Sequence, residues 1–495
     1  MTKRIIAVLC SLVIIATAMC ACSKENVQSQ RPIINEQSAQ IVTDTTGFKL
    51  SYTQSDSLSP YESDSLNNHI VQDLVFESLF RIDEELDVQP EIATSYSYSD
   101  PTTLNVTIIS GLKFSDDSVL DADSVVEAFN LAKESPYWQS SLEAIRNARV
   151  LSATEIAFDL NYPDKYAHRL LTFYIARSNQ GDSKFPIGSG RYAFTEGDGK
   201  LYVEVNPLYR EEFTPRFTKI QLVNVPATDS INNALNIGNI SYAYRDAATD
   251  EISRLKCSKK KVSQNNLVYL GVNSKSGITA NADIRRAISL ALDRATVVKS
   301  AYQGYAKAAT SIYHPSSSLG RQTQMFSSAS DTAAAKQAIS QSGVSGRSIS
   351  ILVNENTNRK SAATLIKQQL EAVGFYVDIK SVSNDAYVQA LESESFDLYI
   401  GETKLPLDMR LTGFFTEGAS TSYGIDQECN AALEYNSFLG GGAEIGKFTL
   451  AFSVDMPFIP ILYRDAVICY SKAMRGDMQG YFGNYFSNIQ DWYYN

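Results

Sequence analysis

Three histidines, His69, His168 and His314, are the only imidazoles in a chain of 495 residues, and none stands at a metal-ligand spacing. There is no HExxH, no paired-cysteine zinc pattern and no GxSxG nucleophile turn. Gly441 to Lys447 has the glycine and lysine spacing of a phosphate loop, but Phe448 stands where a hydroxyl would hold magnesium. With no β-branched run before it, the segment reads as a glycine-rich surface loop. The acid pairs Asp116-Asp117 and Glu84-Glu85 read as solvated turn residues rather than a general acid and base. The residues therefore point away from an enzyme, and no cofactor is expected. What stands out is 28 tyrosines beside two tryptophans, Trp138 and Trp492. A tyrosine ring gives flat contact area plus a hydroxyl, which suits recognition of polar organic solutes and equally the outer face of a strand.

The elements that would position such residues can be read from periodicity. Phe48 to Tyr52 alternates like a half-buried strand, and Ser51 to Asp64 is a polar loop that contains Tyr61. Ile70, Val71, Leu74, Val75, Leu79 and Phe80 recur at helical spacing. Thr94 to Ser99, a turn at Asp100-Pro101, and Leu104, Val106 and Ile108 predict a hairpin. Asp121 is placed to cap a helix carrying Val125, Phe129 and Ala132. In the second half, Ile284 to Val298 predicts one amphipathic helix ending near Gly304. Ser348–Val353, Ser361–Val373 and Phe375–Val382 read as a strand-helix-strand crossover that joins parallel strands, with Gly374 as the helix stop. Ser316 to Ser330 reads as a surface loop. The first half is thus strand-rich and mixed, the second a doubly wound α/β lobe.

Lys3 and Arg4 followed by the apolar run Ile5 to Met19 predict a secretory leader, too short to span a bilayer comfortably. Met19-Cys20-Ala21-Cys22 resembles a bacterial lipobox with Cys22 lipidated and Cys20 as the fallback, although Met19 stands where leucine is favoured. Residues 23–46 are polar and read as a tether. Without Lys3 and Arg4, 42 basic residues face 55 acidic ones, a net charge of −13 that argues against nucleic acid as a partner. Beyond Cys22 only Cys257, Cys429 and Cys469 remain, so at most one disulfide is possible and packed cores must supply the stability.

Taken in order, several segments resemble the oligopeptide-, dipeptide- and nickel-binding family of ABC-transporter solute receptors. They are Asp73–Phe80, Pro90–Tyr96, Leu104–Ser115, Asp121–Phe129, Pro186–Tyr192 (with Arg191 in place of the usual proline), Asn206–Tyr209, Leu270–Asn273 and Ile284–Arg294. The similarity runs from Phe48 to Asn495. It implies an α/β, two-lobed periplasmic-binding-protein-like (type II) fold with a hinge and an extra α+β subdomain inserted in lobe one. The implied boundaries are a signal peptide at 1–21, the lipidated Cys22 and tether at 22–46, and lobe one at 47–69, 185–272 and 457–495. The inserted subdomain covers 70–184 and lobe two 273–456, with hinge segments near Val268–Asn273 and Pro457–Tyr463.

In peptide-binding members an aspartate at the end of a lobe-two strand meets the peptide's α-ammonium. In this chain Leu405 falls at that place, and Pro406-Leu407-Asp408 is similar to the version found in glutathione- and nickel-type members. By this resemblance the site candidates are Tyr61, Arg191, Glu402, Lys404, Asp408 and Arg410. Glu402 or Asp408 would supply an anion, and Lys404 or Arg410 a cation for a carboxylate. The implied function is a monomeric, non-catalytic receptor that delivers a small solute, a short peptide first of all, to an ABC permease and ATPase. The alternatives are a nickel or other metal chelate, another peptide-like solute, a sugar, or a ligand-sensing role on the same fold.

Overall fold

The computed structural model describes residues 47–494 apart from 180, 182, 226–227, 247–251, 253–254 and 345; the leader, Cys20, Cys22 and the tether lie outside the described residues. The backbone of the molecule is one sheet of eleven strands. On one side run Tyr192–Gly197, Lys200–Val205, Lys219–Asn224, Lys49–Tyr52 and Tyr242–Asp246; on the other, Leu398–Lys404, Ser348–Val353 and Tyr376–Ser381. Between them lie two long antiparallel strands, Ser258–Val272 and Phe458–Tyr470, which join the two halves, and the eleventh strand, Ala306–Ala308, pairs with the second of these. The expected hinge segments fall in these two strands or directly at their ends. Their buried runs, such as Leu267-Val268-Tyr269-Leu270 and Ile459 to Tyr463, explain why each continues where an ordinary strand would stop.

The pairing of these two strands shifts register twice. Between Ser263 and Asn266 the longer strand carries two residues, Gln264 and Asn265, without opposite numbers. Such a bulge bends a strand and redirects its side chains, and this one sits beside the segment that follows Lys404.

Residues 93–160 contain a separate four-stranded antiparallel sheet, ordered Ala93–Asp100, Thr103–Ile108, Glu155–Leu160, Ile145–Ser152. The hairpin lies where its alternation put it. Asp121 caps Ala122–Glu134 in a reciprocal capping box with Ser124, and the helix buries Val125, Ala128, Phe129 and Ala132. Gly190 sits against the end of the Leu66–Val75 helix, its N–H donating to Val75 O at 2.9 Å. A Cβ on Gly190 would lie 2.6 Å from the Val75 carbonyl carbon, so the close approach requires glycine.

The strand-helix-strand unit is present as Ser348–Val353, Thr357–Ala372 and Tyr376–Ser381, with the strands parallel and Gly374 at φ +110°. Three expectations need correction. The helical spacing from Ile70 to Phe80 holds only to Val75, where the helix ends, and Phe80 lies in the strand Phe80–Ile82. The single helix over Ile284 to Val298 is two helices, Ala282–Ala291 and Arg294–Ala301, because the Asp293 carboxylate accepts from Thr296 N and starts a new helix. The Ser316–Ser330 loop holds a short helix, Ser318–Gln322, capped by Ser317, with Leu319 buried. Spacing alone cannot see such caps, because serine and aspartate are equally at home in loops.

Candidate ligand-binding site

A cavity of about 430 Å³ opens where six stretches of chain meet. One wall is aromatic: His69, Tyr137, Trp138 and Tyr174 from the first part of the chain, and Phe482 and Tyr485 from the C-terminal tail. Facing it is Lys404-Leu405-Pro406-Leu407, the end of the Leu398–Lys404 strand and its continuation. Ser140, Ser141 and Thr172 add hydroxyls. A few polar groups in a largely apolar concavity of a few hundred Å³ is the usual make-up of a small-ligand site.

The aromatic wall is held by hydrogen bonds directed away from the cavity. Trp138 Nε1 donates to Pro60 O at 3.0 Å, and His69 Nε2 bonds Ser63 O at 3.1 Å while its ring stacks on Tyr137 at 3.6 Å. Burial pushes the His69 pKa down to about 4, so the ring is neutral at physiological pH. Tyr61 is not in the lining. Its hydroxyl donates toward Tyr174 O and Ala176 O (3.2 and 3.3 Å) and accepts from Ala176 N (2.9 Å), which fixes the strand carrying Tyr174. It positions the wall without facing the ligand.

The opposite wall is set by the bulge. Asn265 Nδ2 donates to Leu405 O and Pro406 O at 3.2 and 3.1 Å, and Leu405 N donates back to Asn265 O at 2.8 Å. A residue without a partner in the hinge ladder thus clamps the segment that lines the cavity.

Of the other expected charges, none lines this cavity. Glu402 bonds Arg359 Nη2 at 3.0 Å and also pairs with Arg464, which in turn meets Asp246. Burial alone would raise the Glu402 pKa, but the two guanidinium groups outweigh it and hold it below the ordinary carboxylate range. Arg191 lines a separate groove with Arg81, Tyr209 and Phe213, and donates to Phe486 O at 2.9 Å.

Asp408 and Arg410 are buried where the segment after the Leu398–Lys404 strand meets residues 140–164. Arg410 donates to Tyr162 Oη (3.0 Å) and Ser140 O (3.3 Å), and its backbone N–H donates to Asp408 Oδ1 at 3.1 Å. Asp164 lies against Asp408, and the Oδ2 atom of each has no ordinary donor. The nearest cation is Arg410, whose Nε lies 3.6 Å from Asp408 Oδ2. Burial, and then the charge of Asp408, push Asp164 well above the carboxylate range. Asp408 is also raised by burial, with Arg410 pulling it back. Nearby, Asp87 accepts from Ser318 N, Ser318 Oγ and Arg169 Nη2 (2.9, 2.7 and 2.7 Å).

Lys404 is the one expected residue in the lining, and the only charged one there. Its Nζ lies 3.9 Å from the centroid of the Phe482 ring. It is open to the cleft yet surrounded by protein, and desolvation pushes its pKa down to about 8. The sequence reading missed His69, Tyr137, Trp138, Tyr174, Phe482 and Tyr485. The adjacent rings Tyr137-Trp138 and the aromatic density of Tyr481 to Phe486 were the available signals.

A family model for the middle region of bacterial extracellular solute-binding proteins, family 5, matches residues 87–407. The chain belongs to this family. Among its relatives is the oligopeptide-binding protein AppA of Bacillus subtilis, 25% identical over 381 residues, spanning 68% of this chain and 69% of that one. The glutathione-binding protein GsiB of Escherichia coli (strain K12) is 22% identical over 361 residues with the same coverage. Family 5 architecture is also clear in solved structures. The unliganded open form of the periplasmic murein tripeptide-binding protein MppA superposes with a TM-score of 0.74 at 16% identity, over 90% of this chain and 97% of that one. The substrate-binding protein CtaP of Listeria monocytogenes gives 0.69 at 19% identity, over 91% and 99%. The two-lobed type II fold is therefore the fold of this chain, and its class is that of extracellular solute-binding proteins of ABC transporters.

Proposed function

We propose that the protein is the non-catalytic receptor of an ABC importer and captures a short peptide in the cavity between its lobes, for delivery to a permease and ATPase. The observation that carries this reading is the 430 Å³ cavity, walled by Trp138, Tyr174 and Tyr485 on one side and by the 404–407 segment on the other. Relatives named for oligopeptide and glutathione binding favour a peptide over a sugar. Lobe one is assigned to 47–69, 185–272 and 457–495, the inserted subdomain to 70–184 and lobe two to 273–456. The receptor acts as a monomer held at the outer face of the membrane by a lipid on Cys22.

A thermal-shift screen of the domain from Gly47 onward against peptides of two to six residues, nickel chelates and oligosaccharides tests the ligand class. A ligand at about a hundred times its dissociation constant adds about 2.7 kcal/mol. A shift with chelates or sugars and none with peptides overturns the peptide assignment. Release of the protein into the medium by Cys22→Ala, and not by Cys20→Ala, is the expected result for the anchor.

A further inference from the structure

Lys404 has no ion pair among the described residues, whereas the buried guanidinium groups of Arg410 and Arg464 are ion-paired and that of Arg294 is bonded to a carbonyl. Two residues earlier on the same strand, Glu402 is held by two guanidinium groups. The cavity lining contains no carboxylate to match Lys404, and Leu405, buried and apolar, stands beside it. Its ammonium is exposed to the cleft and unpaired, so an incoming anion meets it without displacing an internal partner and forms a charge-assisted hydrogen bond. The remaining surface is mostly rings and aliphatic carbon.

We infer that the receptor holds its ligand by a carboxylate at Lys404 and offers no counter-charge to an α-amine. The ligand class is a small anionic solute with an aromatic or apolar body, a description that a short peptide with a free C-terminus meets. The inference rests on the reading of this cavity as the binding site. An ammonium is a compact point charge with three donors, so it fixes where the anion sits while the rings select the body.

The test uses defined probes on the domain from Gly47: the dipeptide Ala-Phe, N-acetyl-Ala-Phe, Ala-Phe-amide, and the pair 3-phenylpropionate and 3-phenylpropanamide. The free and acetylated dipeptides and the propionate should raise the melting temperature, and the two amides should not. Calorimetry should show Lys404→Met weakening the carboxylate probes roughly 10- to 100-fold, with Lys404→Arg restoring most of the loss. Equal binding of acid and amide, or loss of binding on acetylation, overturns the inference while leaving the peptide reading in place. Binding of the propionate without any dipeptide keeps the inference and removes the peptide reading. No response to any probe overturns both.

Discussion

Glu402 and Lys404 point out of the same strand two residues apart, yet they belong to different regions. Glu402 sits in a junction where helix 357–372, the hinge strand and the lobe-one strand Tyr242–Asp246 meet through Arg359, Arg464 and Asp246. Both Glu402 oxygens are answered there. Lys404 sits in a cavity of rings where no carboxylate answers it. The charges at the junction hold the protein together, whereas the unanswered charge in the cavity awaits something from outside. The same division separates Asp408 and Arg410, which serve a contact with residues 140–164, from the neighbouring Leu405 and Leu407, which line the cavity.

The largest effect should come from breaking the junction. Arg464→Met strips one cation from buried Glu402 and should destabilise the domain by about 3 kcal/mol in urea unfolding, since removing one partner strands the other's charge. Lys404→Met sharpens the contrast: stability should change by less than about 1 kcal/mol while carboxylate binding is lost. A large loss of stability in that variant would place Lys404 with the structural charges. Asn265→Ala should cost about 1 to 3 kcal/mol and weaken binding as well, because it frees the cavity-lining segment from its bulge.

Two pH effects of opposite origin follow. The ammonium of Lys404 is present below its pKa of about 8, so carboxylate affinity should hold below that and fall as pH rises through it. Asp164 titrates above its unfolded value, so its contribution to stability is present at low pH and is lost as pH rises through the raised value. Melting temperatures across that range should show a decline that Asp408→Asn reduces. The smallest effect is expected for Arg321→Ala, whose half-exposed pair with Glu85 should be worth within about 0.5 kcal/mol.

Much of the frame was legible in the chain. Alternation in 94–108, the cap at Asp121 and the strand-helix-strand unit ending at Gly374 are local signals, set by residues close together in sequence. The order of the family's segments also singled out the stretch from 402 to 410, at the end of the Leu398–Lys404 strand. It could not distinguish Lys404 from Glu402, Asp408 or Arg410, because a charged side chain in a string of letters carries no record of its partner. Arg464 lies 62 residues from Glu402, and Tyr162 lies 248 from Arg410. Nor could it gather Trp138, Tyr174 and Tyr485 into one wall or reveal that Tyr61 faces away from it. Composition and local spacing determined the elements and the class of protein. Only the tertiary structure decided which charges are neutralised within the fold and which one is left for a ligand, because that depends on pairings between residues far apart in the chain.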